Sequence, residues 1–515
     1  MKLSWLFDKA GIDYPKKYSD IDIKDIKTDS RRVMSGDLFI CIKGLHSDGH
    51  DYIEKAINSG AKVIVAERVR DDCVGGAAII KVENARAASS LLYNARYNDP
   101  CSALKVIGVT GTNGKTSTSY MLEAIFGHVG ERVGLIGTVG YRFCSEDIAR
   151  DHSDPLANMT TPDPQELYAL MSKFKNENAD RVVMEVSSHS LALKKVEPIR
   201  FECSVFTNLS RDHLDFHKNM EDYFLAKAEI LKASRKCVVN IDDAYGKRLV
   251  GFDAQKCVTC SQHGDADYVA RDFRSLGIKG IEYKLICKAG SFCVRLSLIG
   301  DFALKNSLQA LATAIECGID PQTAIDALAE MPQICGRMEL AKSSKDTGIN
   351  VIFDYAHTPD ALEKALISLH RIRKDDRSRI ILVFGCGGER DKGKRKQMAM
   401  IASRLADMTV ITSDNSRSED PDAIISDILK GIDKEKAYKV VPKRWDAILF
   451  ALAEARVGDF ALIAGKGHER YEIDSSGKHP FDERDIVASA MQSRKIEDGE
   501  KAESRFRDFG KEGQK

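Results

Sequence analysis

Residues 108–117, which we call the phosphate loop, read Gly-Val-Thr-Gly-Thr-Asn-Gly-Lys-Thr-Ser and carry the residue types that bind a polyphosphate. Backbone N–H groups of such a turn converge on phosphate oxygens, while Lys115 supplies a positive charge and the Thr116 hydroxyl can bind Mg²⁺. The common pattern would place its first glycine at Val109, but here the glycines are residues 108, 111 and 114. We predict a phosphate site, with a purely structural glycine turn as the alternative. Its residues are Gly111, Thr112, Asn113, Gly114, Lys115, Thr116 and Ser117.

A strand must lead into this loop and a helix must follow it. Residues 103–107 are mostly apolar and residues 120–129 have a helical pattern, so the helix N-terminus adds its positive dipole to the site. Further apolar runs, separated by helical or polar stretches, indicate a parallel sheet that is buried on both faces. These runs lie at 132–137, 181–186, 203–208 and 236–241.

The chain has 515 residues, more than one hydrophobic core usually organises, and its pattern divides into three α/β units. We predict a small N-terminal α/β domain at 1–100 and a central phosphate-loop domain with a parallel sheet at 101–334. A Rossmann-like α/β domain follows at 335–497. The remaining residues, 498–515, form a charged tail that is typical of a frayed helix or of disorder.

Composition indicates a cytoplasmic protein without nucleic-acid or membrane partners. The 77 Lys+Arg residues balance 77 Asp+Glu residues, and no apolar run reaches the roughly 18 residues of a membrane span. The 13 cysteines have no framework spacing, which fits reduced thiols. Cys257 and Cys260 form a CxxC pair, for which metal or redox use is the alternative to ordinary buried thiols.

The third unit has polar residues where its strands end. Ligands of open α/β sheets bind beyond the carboxyl ends of the strands, so we expect these residues to gather on one rim. They are Asp354, the loop at 385–394, the segment at 414–417 and the segment at 465–469.

Several strings, in this order, resemble the Mur ligases. Besides the phosphate loop, they are MEVSSHS at 184–190, TNLSRDHLDFH at 207–217, DYFLAKAEI at 222–230 and GRME at 336–339. The strings DSRRVMSGDLFICIKG, FDYAHTPD, GCGGERDKGKR, DNSR and GKGHE narrow the resemblance to the branch that adds the third amino acid to UDP-N-acetylmuramoyl dipeptide. The resemblance extends from about residue 28 to residue 485.

The resemblance implies an ATP-dependent acid–amino-acid ligase of peptidoglycan (cell wall) synthesis. ATP converts the substrate carboxylate into an acyl phosphate, which the bound amine attacks. The implied partners are therefore small molecules, namely ATP, Mg²⁺, the UDP-linked dipeptide and an amino acid, and we expect a monomer. An ATP site with acidic and histidine side chains can support this chemistry.

The resemblance assigns the catalytic centre to Lys115, Glu185, His213 and Lys227. Glu185 and His213 bind Mg²⁺ with Thr116, and Lys227 is carbamylated by CO₂, which turns a cation into a metal-binding carboxylate. From the residues alone, Lys227 would be a solvated helix charge and His213 a turn cap. Glu185, at the end of an apolar strand, needs a cation or hydrogen-bond donors.

Three further residues are implied for ATP. Asn306 would bind adenine, Arg337 would neutralise phosphates, and Asp354 would contribute to nucleotide and metal binding. Asn306 could instead be an ordinary helix residue, and Asp354 could cap the helix that begins near Pro359.

The UDP-linked dipeptide is assigned to loop residues by resemblance. Lys195 departs from the arginine that is common in the family, and Met159 stands where some relatives have asparagine. The assigned residues are Thr28, Ser30, Leu45, His46, Ser47, Thr160, Thr161, Ser187 and Lys195.

Residues 414–417, which we call the amino-acid loop, read Asp-Asn-Ser-Arg where the diaminopimelate-adding class has D-[ND]-P-R. The Arg417 guanidinium can pair with the distal carboxylate that meso-diaminopimelate has and L-lysine lacks, a discrimination of up to roughly a thousandfold. Ser416 lacks the fixed φ of the family's proline. We predict meso-diaminopimelate, with L-lysine as the alternative. The assigned residues are Arg390, Asp414, Asn415, Ser416, Arg417, Gly465 and Glu469.

Three other functions are alternatives. Another Mur ligase or a folylpolyglutamate synthase would share the phosphate loop but not the amino-acid loop and the GKGHE string. A phosphate-loop switch or motor ATPase would leave the HLDFH and AKAEI strings without a purpose, and the chain has no N-K-x-D string.

Overall fold

The computed structural model describes residues 1–44, 47–68, 76–148, 159–214, 216–373 and 377–493. Leu45, His46 and the predicted tail at 498–515 lie outside the described residues. Three sheets, of four, eleven and six strands, follow one another along the chain, and a two-stranded hairpin comes last. This confirms the predicted fold class, whereas the exact domain boundaries stay predictions.

The first sheet has four parallel strands in chain order. Short apolar strands alternate with helices, and Asn84 caps the last helix by accepting the N–H of Ala87 at 2.9 Å. The strands are β1 (Ile26–Lys27), β2 (Leu38–Ile40), β3 (Val63–Ala66) and β4 (Ala78–Lys81). The helices are α1 (Leu3–Ala10), α2 (Ile53–Asn58) and α3 (Ala85–Arg96).

The central sheet has parallel strands in its middle and antiparallel strands at both edges. Its strands are β5 (Lys105–Thr110), β6 (Val133–Ile136), β7 (Tyr141–Phe143), β8 (Glu146–Ile148), β9 (Arg181–Glu185), β10 (Phe201–Phe206), β11 (Ser234–Asn240), β12 (Cys257–Ser261), β13 (Tyr268–Ser275), β14 (Ile281–Cys287) and β15 (Gly290–Leu296). Their order is β15-β14-β13-β12-β11-β10-β5-β9-β6-β7-β8. The helices are α4 (Lys115–His128), α5 (Pro164–Asn176), α6 (Ser188–Ala192), α7 (Met220–Lys232), α8 (Ala244–Val250), α9 (Asp301–Glu316) and α10 (Pro321–Glu330).

The antiparallel edges were not predicted from the sequence. Strands β13 to β15 form one edge and β6 to β8 the other. In β14, Ile281, Tyr283 and Leu285 are buried while the residues between them are less buried, the alternation of a strand with one wet face. The predicted runs correspond to β6, β9, β10 and β11, whose largely buried residues read as apolar runs, as those of β5 before the phosphate loop do.

The third sheet has the order β16-β17-β21-β18-β19-β20, with β16 antiparallel to β17. Its strands are β16 (Glu339–Leu340), β17 (Asn350–Asp354), β18 (Ile380–Phe384), β19 (Met408–Ile411), β20 (Tyr438–Val440) and β21 (Phe460–Ala464), and the hairpin is β22 (Tyr471–Asp474) with β23 (Gly477–Pro480). The helices are α11 (Ser344–Thr347), α12 (Pro359–Ile372), α13 (Gly393–Leu405), α14 (Pro421–Leu429) and α15 (Arg444–Glu454). Because β17, β18, β19 and β21 are parallel, the loops after them meet at one edge.

Cys257 and Cys260 both lie on β12, three residues apart, so their side chains leave opposite faces of the strand. Burial raises the pKa of Cys257 to about 11 and that of Cys260 well above its ordinary value, so both are neutral thiols. No three His, Cys, Asp or Glu side chains converge as a metal-ligand set within the described ranges. The opposite faces and the raised pKa values of the two thiols favour the ordinary-thiol interpretation of the pair.

Within the same described ranges, no helix combines the length and apolar character needed to cross a bilayer.

A buried ion pair fixes the start of α15. Arg444 Nε donates to Glu483 Oε1 at 2.6 Å, both side chains are fully buried, and Arg444 Nη2 donates to the Ala464 carbonyl at 2.7 Å. We expect Glu483→Ala to destabilise this domain by about 3–5 kcal/mol, because an unpaired guanidinium stays buried. Urea titration followed by hydrogen exchange of peptides that span Phe460–Ala464 measures the loss for this domain alone.

The matched control is Glu363→Ala, which breaks the exposed pair with Arg404 in the same domain. It should cost less than about 1 kcal/mol. Equal losses of unfolding free energy in the two variants would contradict the larger contribution expected from the buried pair.

Candidate active site

The phosphate loop passes directly from β5 into α4. Gly111 has φ +143° and Gly114 has φ +88°, and a Cβ at these positions would run into Thr207 Oγ1 and Asn306 Oδ1 respectively. The backbone is anchored from the segment that follows β10, since the Asn113 carbonyl accepts from Asn208 Nδ2 at 3.0 Å. Glycine is therefore required at both positions by conformation and by space.

Lys115 and Thr116, the first helical residues, already have partners. Lys115 Nζ donates to the carbonyls of Gly111 (3.0 Å) and Thr112 (2.9 Å). Burial lowers the pKa of Lys115, against the attraction of Glu185 and Asp212. Thr116 Oγ1 accepts from Arg337 Nη2 at 2.9 Å, so the predicted phosphate-neutralising arginine does lie at the phosphate loop.

Glu185, the last residue of β9, is buried and has hydrogen-bond donors. Thr138 offers its N–H to Oε1 at 2.9 Å and its hydroxyl to Oε2 at 2.8 Å. Two predicted dipeptide residues lie alongside, because Thr161 Oγ1 donates to the Glu185 carbonyl and accepts the N–H of Ser187. Thr160 Oγ1 is 3.0 Å from the Thr138 hydroxyl. The predicted metal-binding carboxylate and three predicted dipeptide-binding residues therefore lie together, Thr160 being joined through Thr138.

Lys227 on α7 is 1% exposed. Its Nζ donates to the Gly111 carbonyl at 2.9 Å and lies 3.3 Å from Thr110 Oγ1. Burial and, after it, repulsion from Lys115 hold the pKa of Lys227 well below its ordinary value. The alternative of a solvated surface charge is wrong, because the helix turns this lysine toward the loop.

His213 lies in the left-handed region (φ +53°), and its Nε2 is 3.5 Å from Asp212 Oδ2. Its ring packs edge-on against His189, with centroids 5.0 Å apart. The side chain is 42% exposed and so remains accessible to solvent beside the phosphate loop. Asp212, whose charge acts on Lys115, was not predicted as a site residue.

Asp354 and Asn306 complete the predicted ATP group. The Asp354 carboxylate accepts the N–H groups of Met338 (2.8 Å) and Ala356 (2.9 Å), and burial raises its pKa. The capping alternative is wrong, because Thr358 caps α12 through the N–H of Ala361. Asp354 thus holds the segment that carries Arg337, while buried Asn306 packs against Gly114 from α9.

The third unit also reaches the phosphate loop through a residue that sequence reasoning missed. Asp360, in the first turn of α12, accepts from Asn113 Nδ2 at 2.8 Å and from Ser210 Oγ at 3.2 Å. Its place after Asp354 in FDYAHTPD was visible in the sequence, but an acidic residue in a first helical turn usually has only a local role.

The amino-acid loop follows β19 and lies beside the loop after β21. Asn415 Nδ2 donates to Glu469 Oε2 at 2.7 Å, and a Cβ on Gly465 (φ +116°) would lie 2.7 Å from Asp414 Oδ2. Burial disfavours the ionised form of Asp414, but Lys466 and Arg444 outweigh it and lower its pKa to about 2. Burial and Asp414 raise the pKa of Glu469.

Arg417 is oriented by backbone oxygens. Its Nη1 donates to the carbonyls of Gly388 (2.9 Å) and Asn415 (3.2 Å), and a Cβ on Gly387 would lie 3.0 Å from Nη1 and 4.0 Å from Arg390 Cγ. Arg390 is exposed, whereas Ser416 is buried. The structure therefore brings all predicted amino-acid-binding residues to the rim expected from the parallel strands.

The described residues that were predicted to bind the uridine end lie in the first unit, apart from the contacts of the phosphate loop. Thr28 and Ser47 are exposed and Ser30 is buried; within the described ranges none of these three hydrogen-bonds the phosphate loop. Lys195 Nζ pairs with Asp163 Oδ1 at 2.7 Å and lies 3.3 Å from Met159 Sδ, so the two departures from the family pattern contact each other.

The strict need for glycine at 114 gives a test. In Gly114→Ala the loop must shift, since the added carbon meets Asn306 Oδ1 at an unfavourable φ. We expect the Kd for Mg²⁺-ADP, measured by titration calorimetry, to rise at least about tenfold, or about 1.4 kcal/mol.

The matched control is Gly127→Ala on the same helix α4, where an added Cβ meets no atom within 4 Å. Its affinity should equal that of the unaltered protein. Unchanged affinity in Gly114→Ala would contradict a nucleotide site at this loop.

Three stretches of the chain match known protein-family domains. Residues 22–104 match the Mur ligase family catalytic domain, residues 109–314 the Mur ligase middle domain, and residues 336–467 the Mur ligase glutamate ligase domain.

Relatives and solved structures agree with this. The chain is 40% identical over 473 residues to a UDP-N-acetylmuramoyl-L-alanyl-D-glutamate--2,6-diaminopimelate ligase of Clostridium botulinum (strain ATCC 19397 / Type A), covering 92% of this chain and 95% of the relative. The relative of the same name from Clostridioides difficile (strain 630) is 40% identical over 496 residues, covering 95% and 99%. A solved structure of that ligase aligns with a TM-score of 0.67 at 29% identity, covering 96% of this chain and 99% of that one. MurF of Thermotoga maritima in complex with ADP shares the fold, with a TM-score of 0.57 at 18% identity over 93% and 99%. This chain belongs to the Mur ligase family.

Proposed function

We propose that this protein joins meso-diaminopimelate to UDP-N-acetylmuramoyl-L-Ala-D-Glu in peptidoglycan synthesis. As a Mur ligase it is an ATP-dependent enzyme that forms a peptide bond. The observation that carries the choice of amino acid is Arg417, which is fixed through Nη1 on two carbonyls at the rim that also holds Glu469. A guanidinium and a carboxylate at one rim suit a ligand end that has both a carboxylate and an ammonium.

The proposed reaction is the one that the family resemblance implies, with ATP bound at the phosphate loop. An oxygen of the substrate carboxylate attacks the γ-phosphorus of ATP, the bond to the β–γ bridging oxygen breaks, and ADP leaves. The amine nitrogen then attacks the acyl carbon and inorganic phosphate leaves. Lys115 and Arg337 would offset phosphate charge, which their contacts at the loop support, and Asn306, which packs against Gly114, would bind adenine.

Mg²⁺ fits beside the loop. Thr116, Glu185 and His213 supply hydroxyl, carboxylate and imidazole groups, and the ion when bound would neutralise phosphate charge. The Glu185 carboxylate is already oriented by Thr138, so it can bind a cation without rearranging. Asp354 supports this group by holding the backbone next to Arg337.

Lys227 suits the proposed carbamate. A carbamate forms on the neutral amine, and burial favours the neutral form of Lys227. The modified nitrogen would keep one N–H for the Gly111 carbonyl, and the Thr110 hydroxyl could donate to a carbamate oxygen. Conversion to an anion would also replace repulsion from Lys115 with attraction.

The remaining proposed assignments concern the UDP-linked dipeptide. Thr160, Thr161 and Ser187 adjoin Glu185 or its partner Thr138, which supports binding of the dipeptide carboxylate on this side of the site. Lys195 is paired with Asp163 nearby. Thr28, Ser30 and Ser47, in the first unit, would meet the uridine end.

The first experiment measures phosphate release with ATP, Mg²⁺ and UDP-N-acetylmuramoyl-L-Ala-D-Glu, adding meso-diaminopimelate, L-lysine or neither. We expect release and a tripeptide product only with meso-diaminopimelate. Equal turnover with L-lysine would refute the specificity while leaving the ligase, and release without either amino acid would support a phosphate-loop ATPase.

The same assay with the variant Arg417→Met tests the role of this residue. Losing two charge-assisted hydrogen bonds of about 1.5–3 kcal/mol each should lower kcat/KM for meso-diaminopimelate by roughly 10²- to 10³-fold or more. The KM for ATP should stay unchanged. Arg404→Met, which removes an exposed arginine on α13, is the matched control and should leave every constant unaltered.

The carbamate has a spectroscopic test. Protein equilibrated with ¹³C-bicarbonate at pH 8 should show one carbamate carbon resonance that is absent from Lys227→Met. The signal should disappear at pH 5, because acid protonates the carbamate, which then releases CO₂. Unlabelled Lys227 at pH 8 would refute the modification, whatever the turnover of the enzyme.

A further inference from the structure

We propose that Lys466 is the positioning residue of the amino-acid loop and so sets selectivity for the incoming amino acid; this rests on the function proposed above. Lys466 follows Gly465, and its side chain is fully buried. Its Nζ donates to Asn415 Oδ1 at 2.8 Å and to the Tyr471 carbonyl at 2.9 Å, and lies 3.6 Å from Asp414 Oδ1. A fully buried ammonium with these partners acts on the ligand only through other residues.

The first residue it controls is Asn415. Asn415 Oδ1 accepts from both Lys466 Nζ and the Ile473 N–H, the latter at 3.0 Å. These two donors fix which way the amide faces, because the flipped amide would set its own N–H groups against them. The opposite side of the amide, Nδ2, then donates to Glu469 Oε2 at 2.7 Å. Lys466 therefore orients the Glu469 carboxylate through one intervening side chain.

The second residue that Lys466 helps to position is Arg417. Arg417 has φ +54°, and its N–H donates to the Ile473 carbonyl at 3.0 Å. Ile473 lies on β22, the strand whose first residue, Tyr471, accepts from Lys466. Lys466 thus joins the amino-acid loop to β22 at the point where Arg417 is also bound. Ser416 does not fix φ as proline would, so these contacts supply the constraint.

Charge balance explains why a lysine can be buried here. Lys466 and Arg444 are accompanied by the carboxylates of Asp414 and Glu483, and Arg444 pairs with Glu483 at 2.6 Å. Lys466 is the largest influence that favours the ionised form of Asp414 and lowers its pKa. Removing the ammonium would leave one excess carboxylate beside the loop, in addition to freeing the amide of Asn415.

The test compares Lys466→Met, Lys466→Arg and the control Lys478→Met in steady-state assays of the full chain. Lys478 is an exposed residue of the hairpin that Lys466 contacts, with its Nζ over the Tyr471 ring. In Lys466→Met we expect the KM for meso-diaminopimelate to rise about 10- to 100-fold, the effect of one or two lost charge-assisted hydrogen bonds. The preference over L-lysine should shrink, and the KM values for ATP and the UDP-linked dipeptide should change less than about twofold. Lys478→Met should match the unaltered protein.

Lys466→Arg separates positioning from folding. It keeps the cation but moves the donors, so a raised KM for meso-diaminopimelate alone supports the proposal even if Lys466→Met does not fold. An unchanged KM and selectivity in either folded variant, or an equal rise for all three substrates, overturns it. If the unaltered protein does not use meso-diaminopimelate at all, the proposed function fails, and the role of Lys466 fails with it.

Discussion

The carbonyl oxygen of Gly111 accepts hydrogen bonds from two lysines, Lys115 and Lys227. Two ammonium groups at about 5 Å would repel by roughly 3 kcal/mol at an effective dielectric constant of about 20. This repulsion and the burial of both side chains lower the pKa of Lys227, and burial lowers that of Lys115. Reduced positive charge or added anions are therefore favoured at this point, and a bound polyphosphate or the proposed carbamate would supply such anions.

The surrounding strands and the third unit hold the phosphate loop and its two lysines in position. Parallel β5, β9 and β10 end together, which brings Glu185 and Asn208 to the phosphate loop from different parts of the chain. Arg337 and Asp360 approach from the third unit and bind Thr116 and Asn113. The loop proposed to bind phosphate is thus also the loop that the third unit contacts, which gives a physical link between the two proposed binding regions.

Local sequence was enough to predict the features that depend on local structure. The phosphate loop follows from glycine spacing, and Glu185 is conspicuous as a carboxylate in an apolar strand. Lys227 could not be found this way without the family resemblance, because its burial depends on how α7 packs against β5. Arg444 pairs with Glu483, and Lys466 lies beside Asp414, so each partner is distant in the sequence. A charged residue in a sequence does not reveal whether its partner is another side chain or water. The β14 alternation was present in the sequence, but it does not say which sheet the strand extends.

The phosphate loop and the rim around the amino-acid loop balance their charges differently. The difference fits the ligands proposed for the two regions. Lys115, Lys227 and Arg337 hydrogen-bond neutral carbonyl and hydroxyl oxygens, which an incoming phosphate can replace without breaking an ion pair. Lys466 and Arg444 instead lie beside Asp414 and Glu483, so that part of the rim is neutral before any ligand binds. A zwitterionic amino-acid end brings no net charge, so attraction alone cannot select it. In the proposed site, selection comes from the placement of Arg417 and Glu469, and such placement requires a rigid support of internally paired charges.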